Sequence, residues 1–377
     1  MSMIYLNNAA TSWPKAPDVE NAVAQAIAGI PIHPGRAGFE APDPEGDCRN
    51  LLARLLRVDA ANRIILTQHA THALNIALHG LRWKDNAVVV TTKAEHNAVL
   101  RPLYFLQKHR NIQAVHVDVD SAGRVGLKTW ETALKQYRPQ LAAVTHASNV
   151  TGSINPVEEL CGMARGMGAV TLLDASQTLG FAEVLPQSWS VDMVAFTGHK
   201  YLLGPTGTGG LYIAPRIDLE PVWVGGTGIL SELEGMPPEL PARFDAGTPN
   251  TPAFAGLARA LRWQQEHPVP QAEIEARAER LASGLKRLGA HVRDWRGPHT
   301  PVLSFTAPRR SVADLGEMLH MGFSVVCRTG LHCAPLIHGC IDAGPEGTVR
   351  FSLSRFTTDD EVEYVLSAIR SILHDPF

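Results

Sequence analysis

From Arg63 to Phe196 the chain alternates short apolar runs with amphipathic stretches, and few architectures accept that rhythm. The successive pairs are residues 64–66 then 71–81, 87–91 then 98–109, 114–117 then 127–137, and 141–146 then 157–167. Apolar runs at 170–173, 193–196 and 209–213 follow. A run too short for a helix, repeatedly followed by a helix-length amphipathic stretch, packs as strand and crossover helix, so the prediction is an α/β fold with a mainly parallel sheet.

Upstream, residues 5–14 read as a short extended piece, 17–27 as a helix with proline in its first turn, 30–39 as a Gly/Pro-rich loop and 43–56 as a helix. Between 220 and 252 the pattern dissolves into Gly, Pro and Glu, which predicts a long functional connection. A long helix or helix pair over 254–288 leads to a second, smaller region. There 291–294, 302–305, 323–327 and 349–353 read as strands, and 312–321 and 359–373 as helices. A chain of 377 residues exceeds what one core usually organises. The expected division is residues 1–20 as an N-terminal segment joining the small domain, 21–255 as the large domain and 256–377 as the small α+β domain.

Composition narrows the partners. A net charge of -3 without a dense Lys/Arg block argues against nucleic acid, and no run approaches the ~18 apolar residues of a membrane span. Small molecules are the expected partners, with no membrane association. The N-terminus shows no cationic region followed by an apolar one, so a cytoplasmic location is the expectation. The five cysteines, at 48, 161, 327, 333 and 340, form no CxxC pair and read as reduced thiols.

The chemistry-bearing residues fall where the apolar runs end. Lys200 follows the run 191–196 and precedes the turn Gly204-Pro205-Thr206-Gly207-Thr208-Gly209-Gly210. It reads either as a solvated turn lysine or as an amine at the end of a core strand, where desolvation lowers its pKa and opens Schiff-base chemistry. A nucleotide-binding phosphate loop is excluded by order, because its lysine would follow the glycines and open a helix. Asp174 ends the run 170–173, as a helix N-cap or as a carboxylate holding a proton on a heterocyclic nitrogen. Ala70-Thr71 opens a helix whose N–H groups suit a phosphate. His96 and Asn149 stand just past two further runs. Each alone is most often structural; five polar groups at one rim are better explained by a shared ligand, since parallel sheets gather ligands at the carboxyl ends of their strands.

Taken together, Thr-Gly-His-Lys200 with its glycine-rich turn, Asp174-Ala-Ser-Gln177, Glu-His96-Asn, Ser-Asn149-Val-Thr-Gly and the Tyr-Leu-Asn-Asn-Ala-Ala-Thr opening resemble the class V aminotransferase group of pyridoxal 5'-phosphate (PLP) enzymes. The stretch Arg328-Thr-Gly-Leu-His332-Cys333-Ala-Pro is similar to group II cysteine desulfurases and selenocysteine lyases. The resemblance implies the PLP-dependent fold type I, with a mainly parallel sheet of seven strands, and a homodimer with its sites at the subunit interface. It implies Lys200 as cofactor anchor and carrier of the substrate's α-proton, Asp174 at the pyridine nitrogen, His96 stacked on the ring and Gln177 at the phenolic oxygen. Asn149 would lie near the ring and the substrate carboxylate. The phosphate would be held by Ala70, Thr71, Thr197 and His199, with Thr248 reaching in from a second subunit. Arg350 would bind the substrate α-carboxylate. Cys333 would take the sulfur; Arg328 and His332 are expected to join Arg350 and Asn149 in binding the substrate and, as neighbours of Cys333, to favour its thiolate.

The expected activity is cysteine desulfuration, L-cysteine to L-alanine, with sulfur carried on Cys333 as a persulfide to an acceptor protein or thiol. A selenocysteine lyase, a cysteine sulfinate desulfinase, a Cβ–S lyase and a class V aminotransferase are the alternatives, and a non-catalytic scaffold of the same fold is the remote one. Leu331-His332 stands where many group II members read His-His, and the loop at 32–38 and the segment 224–231 are also distinctive. Those departures bear on substrate and sulfur acceptor.

Overall fold

The computed structural model describes residues 3–30, 42–295 and 297–374. The distinctive loop at 32–38 therefore lies outside the described residues. The chain opens with β1 (Ile4–Tyr5), α1 (Val19–Ala28) and α2 (Pro44–Leu56). Then β2 (Ile64–Thr67), α3 (Ala70–Gly80), β3 (Val88–Thr92), α4 (Asn97–Arg110), β4 (Gln113–Val117), α5 (Leu127–Tyr137), β5 (Leu141–Thr145), α6 (Val157–Gly166) and β6 (Val170–Asp174) keep the alternating rhythm. The sheet closes with β7 (Met193–Thr197) and β8 (Gly209–Ile213).

Seven strands form the large sheet, in the order β2-β8-β7-β6-β5-β3-β4. All run parallel except β8, which is antiparallel to both neighbours because the Lys200 turn returns directly rather than through a crossover helix. Strands β5, β7 and β8 are buried along their whole length, the signature of a sheet covered on both faces. The order reverses between β3 and β5, since β4 lies outside β3 and the chain then crosses back. That switch point opens a crevice beyond the carboxyl ends of β3 and β5.

The 220–252 stretch contains one short 3-10 turn, Ala242–Phe244. The predicted helix pair is α7 (Thr251–Glu266) and α8 (Gln271–Arg287), divided at Pro268 and Pro270, whose rings cannot continue a helix. After β9 (His291–Val292), β10 (Val302–Thr306) and α9 (Val312–Phe323) come β11 (Val325–Val326), β12 (Arg328–Gly330), β13 (Thr348–Ser352) and α10 (Asp359–His374). The strand predicted over 323–327 is shorter than expected, because α9 runs to Phe323 and Ser324 turns left-handed at φ 53°. β11 pairs not with the small sheet but in parallel with β1, which draws the N-terminus onto this region. β12, absent from the sequence reading, is the edge of the four-stranded sheet β12-β13-β10-β9.

Two large hydrophobic cores result, one around the seven-stranded sheet and one formed by β10, β13, α8, α9 and α10. Ala334 and Ile337, just after Cys333, pack into the first core, so the Cys333 turn is gripped between the two. No described helix is long and apolar enough to cross a membrane.

Candidate active site

The carboxyl ends of β2, β3, β5, β6 and β7 and the small sheet's β12–β13 edge enclose a cavity of about 190 Å³. It is lined by Ala70, Thr71, His96, Asn149, Asp174, Gln177, Thr197, His199, Lys200, Arg328, His332 and Arg350, so the structure brings together all but two of the residues the sequence singled out.

The floor is the Lys200 turn. A Cβ on Gly198 would sit 2.2 Å from Thr208 Oγ1, so only glycine lets the turn fold back on itself. From the other side, the His199 carbonyl accepts hydrogen bonds from Ser12 N at 2.9 Å and Lys15 Nζ at 3.0 Å, fixing the peptide that carries Lys200. Among the described residues the Lys200 amine makes no hydrogen bond. Burial pulls its pKa down to about 8, with the Arg350 and Arg328 charges adding to the fall and Asp174 opposing it. Lys200 is thus a desolvated amine rather than a solvated turn residue.

Asp174 ends β6 and caps a turn, not a helix, since no helix follows before β7. Its Oδ1 accepts from Ser176 N at 2.9 Å and from the Ser176 hydroxyl, closing the turn after β6, and the other oxygen is left for a ligand. Gln177 donates through Nε2 to the Ala9 carbonyl at 3.0 Å, while its buried Oε1 has no partner. His96 caps α4, its Nδ1 accepting from Ala98 N at 3.0 Å, so the ring proton sits on Nε2. Burial and the Lys200 charge lower its pKa to about 4, and the ring is neutral. His199 is likewise held neutral, down to about 4 by burial and by Lys200, and its Nδ1 lacks a partner.

Above the floor, β12 and β13 pair so that Arg328 faces Arg350 in register. Arg350 is 1 % exposed; its Nη1 donates to the Asn149 carbonyl at 2.9 Å and its Nη2 to Asn7 Oδ1 at 3.1 Å. Its Nε is buried without a partner, and burial with the neighbouring Arg328 charge lowers its pKa to about 10. Neither arginine pairs with a carboxylate among the described residues. The two like charges on this strand pair repel one another and make this side of the cavity electropositive.

Cys333 lines not the enclosed cavity but an adjoining groove of about 470 Å³, which shares Thr71, His96 and Ala98 with it. Arg328 Nη2 donates to the Cys333 sulfur at 3.3 Å. His332 and Cys333 are both left-handed, at φ 51° and 59°, a costly conformation for consecutive side-chain-bearing residues. It is held by Asn97 N donating to the Cys333 carbonyl at 2.7 Å and Asn149 Nδ2 to the His332 carbonyl at 2.6 Å. Buried His332 is kept neutral, its pKa driven down to about 2 by burial and by Arg350, with Nε2 2.8 Å from Thr348 Oγ1.

Thr248 is not brought to the cavity; it is exposed in the connection before α7. Sequence reasoning missed the N-terminal contributors Asn7, Ala9 and Ala10, and also His69. Only the Asn-Asn-Ala-Ala opening signalled the first three, and His69 announced itself only by its place before Ala70-Thr71. No group of His, Cys, Asp and Glu suited to a metal ion occurs among the described residues.

The family model for aminotransferase class-V matches residues 4–365. A probable cysteine desulfurase of Pyrococcus abyssi is 30% identical, the match covering 98% of this chain and 94% of the relative. Another from Mycobacterium leprae is 31% identical over 82% of this chain and 77% of its own length. The apo structure of the cysteine desulfurase of Thermococcus onnurineus superposes with a TM-score of 0.89 at 29% identity, covering 98% of this chain and 94% of that one. The S-sulfonic acid form of the Escherichia coli cysteine desulfurase CsdA gives 0.86 at 25% identity, covering 98% and 94%. The chain belongs to the aminotransferase class-V family.

Proposed function

We propose that the cavity holds PLP and that the protein is a cysteine desulfurase, converting L-cysteine to L-alanine and leaving the sulfur on Cys333 as a persulfide. The relatives named for that activity support it, and the observation that carries it is the Arg328 guanidinium on the Cys333 sulfur beside a cavity floored by a desolvated lysine. The unpartnered buried atoms Gln177 Oε1, His199 Nδ1 and Arg350 Nε fit a polar ligand with groups at both ends of the cavity, as the cofactor and its amino acid substrate together supply. When bound, PLP supplies an electron sink that makes the substrate's α-proton labile and weakens its Cβ–S bond.

Lys200 anchors the cofactor and moves the α-proton; an amine with a pKa near 8 can both take and return a proton at neutral pH. Asp174 would hold the pyridine nitrogen protonated through its free oxygen, Gln177 would meet the phenolic oxygen, and neutral His96 would stack on the ring. Ala70, Thr71, Thr197 and His199 would hold the phosphate, joined by Thr248 from the second subunit of a homodimer. Arg350 takes the substrate carboxylate, with Asn149 beside it. The Cys333 sulfur, to which Arg328 donates a hydrogen bond, attacks the substrate sulfur. The S–S bond forms as the Cβ–S bond breaks, the electron pair and a proton end on Cβ, and no external oxidant is needed.

We read residues 1–20, 21–255 and 256–377 as N-terminal segment, large domain and small domain, and place the protein in the cytoplasm, where an acceptor protein or thiol collects the sulfur from the groove. The test is purified protein incubated with L-cysteine and a reductant. Expected are the visible absorbance of bound PLP, alanine and sulfide in equal amounts, and loss of both products in Cys333→Ala with the absorbance retained. Undiminished sulfide release by that variant, or pyruvate in place of alanine, would overturn the reading.

A further inference from the structure

His69 is extended, at φ -176° and ψ 168°, and caps α3. Its backbone lies flat against the first residue of β8: a Cβ on Gly209 would fall 2.8 Å from the His69 Cα, so the glycine fixes where His69 sits. The His69 carbonyl accepts from Thr67 Oγ1 at 3.1 Å, and its Nδ1 accepts from His72 N at 3.1 Å. A ring nitrogen that accepts carries no proton, so the proton of the imidazole is on Nε2. The ring lines the enclosed cavity beside Ala70, Thr71 and His199.

The cavity is made for a polar ligand on grounds independent of this helix terminus. Gln177, 4 % exposed, has an unpartnered Oε1, and Arg350, 1 % exposed, an unpartnered Nε. At the α3 end the free N–H groups and the helix dipole favour the ligand's anionic portion. We propose that His69 is a further ligand of the cofactor's phosphate, donating its Nε2–H. This rests on the PLP reading above and adds to it a residue whose one ring does two things. The Nδ1 edge caps the helix and thereby sets the tautomer, and the opposite edge presents a donor to the anion.

The two functions of the ring separate in His69→Asn and His69→Asp, which keep a good N-cap and remove the Nε2–H. Cofactor-free protein is titrated with PLP and with pyridoxal, which lacks the phosphate, following quenching of tryptophan fluorescence, and the melting temperature of each cofactor-free variant is measured. For Asn the expected result is ~10-fold weaker PLP binding, the scale of one hydrogen bond to a charged group, with pyridoxal binding and melting temperature unchanged. Asp, which sets a carboxylate toward the phosphate, weakens PLP binding further. Equal losses for the two aldehydes, or none for either, would overturn the His69 assignment and leave the cofactor reading standing. Wild-type protein that binds neither would overturn the cofactor reading, and this inference with it.

Discussion

The floor and the rim of the cavity are built on opposite electrostatic terms. The floor, at the ends of β6 and β7, sets one acid against one base: Asp174 raises the proton affinity of Lys200 while burial lowers it. The rim, on β12 and β13, sets Arg328 against Arg350 with no carboxylate to neutralise either among the described residues. A balanced floor holds a ligand by shape and hydrogen bonds and tolerates being empty. An unbalanced rim favours an anion, and on the function proposed above that anion is the substrate carboxylate. The proposed function thus assigns cofactor retention to the floor and substrate choice to the rim.

Three substitutions can break that division. The largest effect is expected for Lys200→Ala: turnover of cysteine falls by ~10³-fold or more, since the proton carrier is gone. The melting temperature of the cofactor-free protein does not fall, because a desolvated amine has been removed; a large loss of stability would mean that the floor needs the lysine for its fold. Next, Arg350→Ala raises KM for L-cysteine ~10- to 100-fold, the worth of charge-assisted hydrogen bonds to a carboxylate, with a smaller change in kcat. Arg350→Lys recovers only part of this, because a point charge does not reproduce the planar fork. A kcat loss at unchanged KM would move Arg350 from rim to floor. Smaller still, Arg328→Met slows alkylation of Cys333 by iodoacetamide ~10-fold at neutral pH while leaving PLP absorbance intact. An unchanged alkylation rate would detach Arg328 from the sulfur.

The floor was legible in the sequence and the rim only partly so, and the reason is the range of the contacts. Asp174, His96, Asn149 and Lys200 each stand at the end of an apolar run, so local periodicity puts them on one rim of a parallel sheet before any tertiary contact is known. The pairing of Arg328 with Arg350 depends on β12, a strand of three residues with no periodicity to reveal it. The merged reading of 323–327 as one strand failed at a left-handed serine, which no composition rule marks. Asn7 reaches Arg350 across 343 positions of sequence, and it does so because β1 joins β11 in parallel, a pairing of two residues each. Conversely the antiparallel β8 follows from a local fact, the short turn at Lys200, yet the rhythm of the preceding units pointed to parallel strands.

A buried acid beneath the floor sharpens the contrast at the smallest scale. Glu95, fully buried beside His96, accepts on Oε1 from the Thr92 hydroxyl at 2.7 Å and from Thr145 N at 2.9 Å, while Oε2 has no partner. Thr145 is the register partner of Asp174, so Glu95 braces the strand next to that acid. Burial, with the Asp174 charge adding to it, pushes its pKa up to about 8, so at neutral pH Glu95 is largely protonated. The unfolded carboxyl ionises near its ordinary 4.5 and the folded one near 8; between the two the folded chain holds the extra proton, and stability falls as pH rises through that window. Glu95→Gln copies the neutral form. Its unfolding free energy should match wild type at acid pH and exceed it increasingly toward pH ~8, by at most ~1.4 kcal/mol per pH unit. Denaturant unfolding of the cofactor-free proteins measures this. Parallel curves, or a glutamine variant less stable at pH ~8, would show that Glu95 is ionised in the fold, and the floor would then carry two negative charges against one lysine.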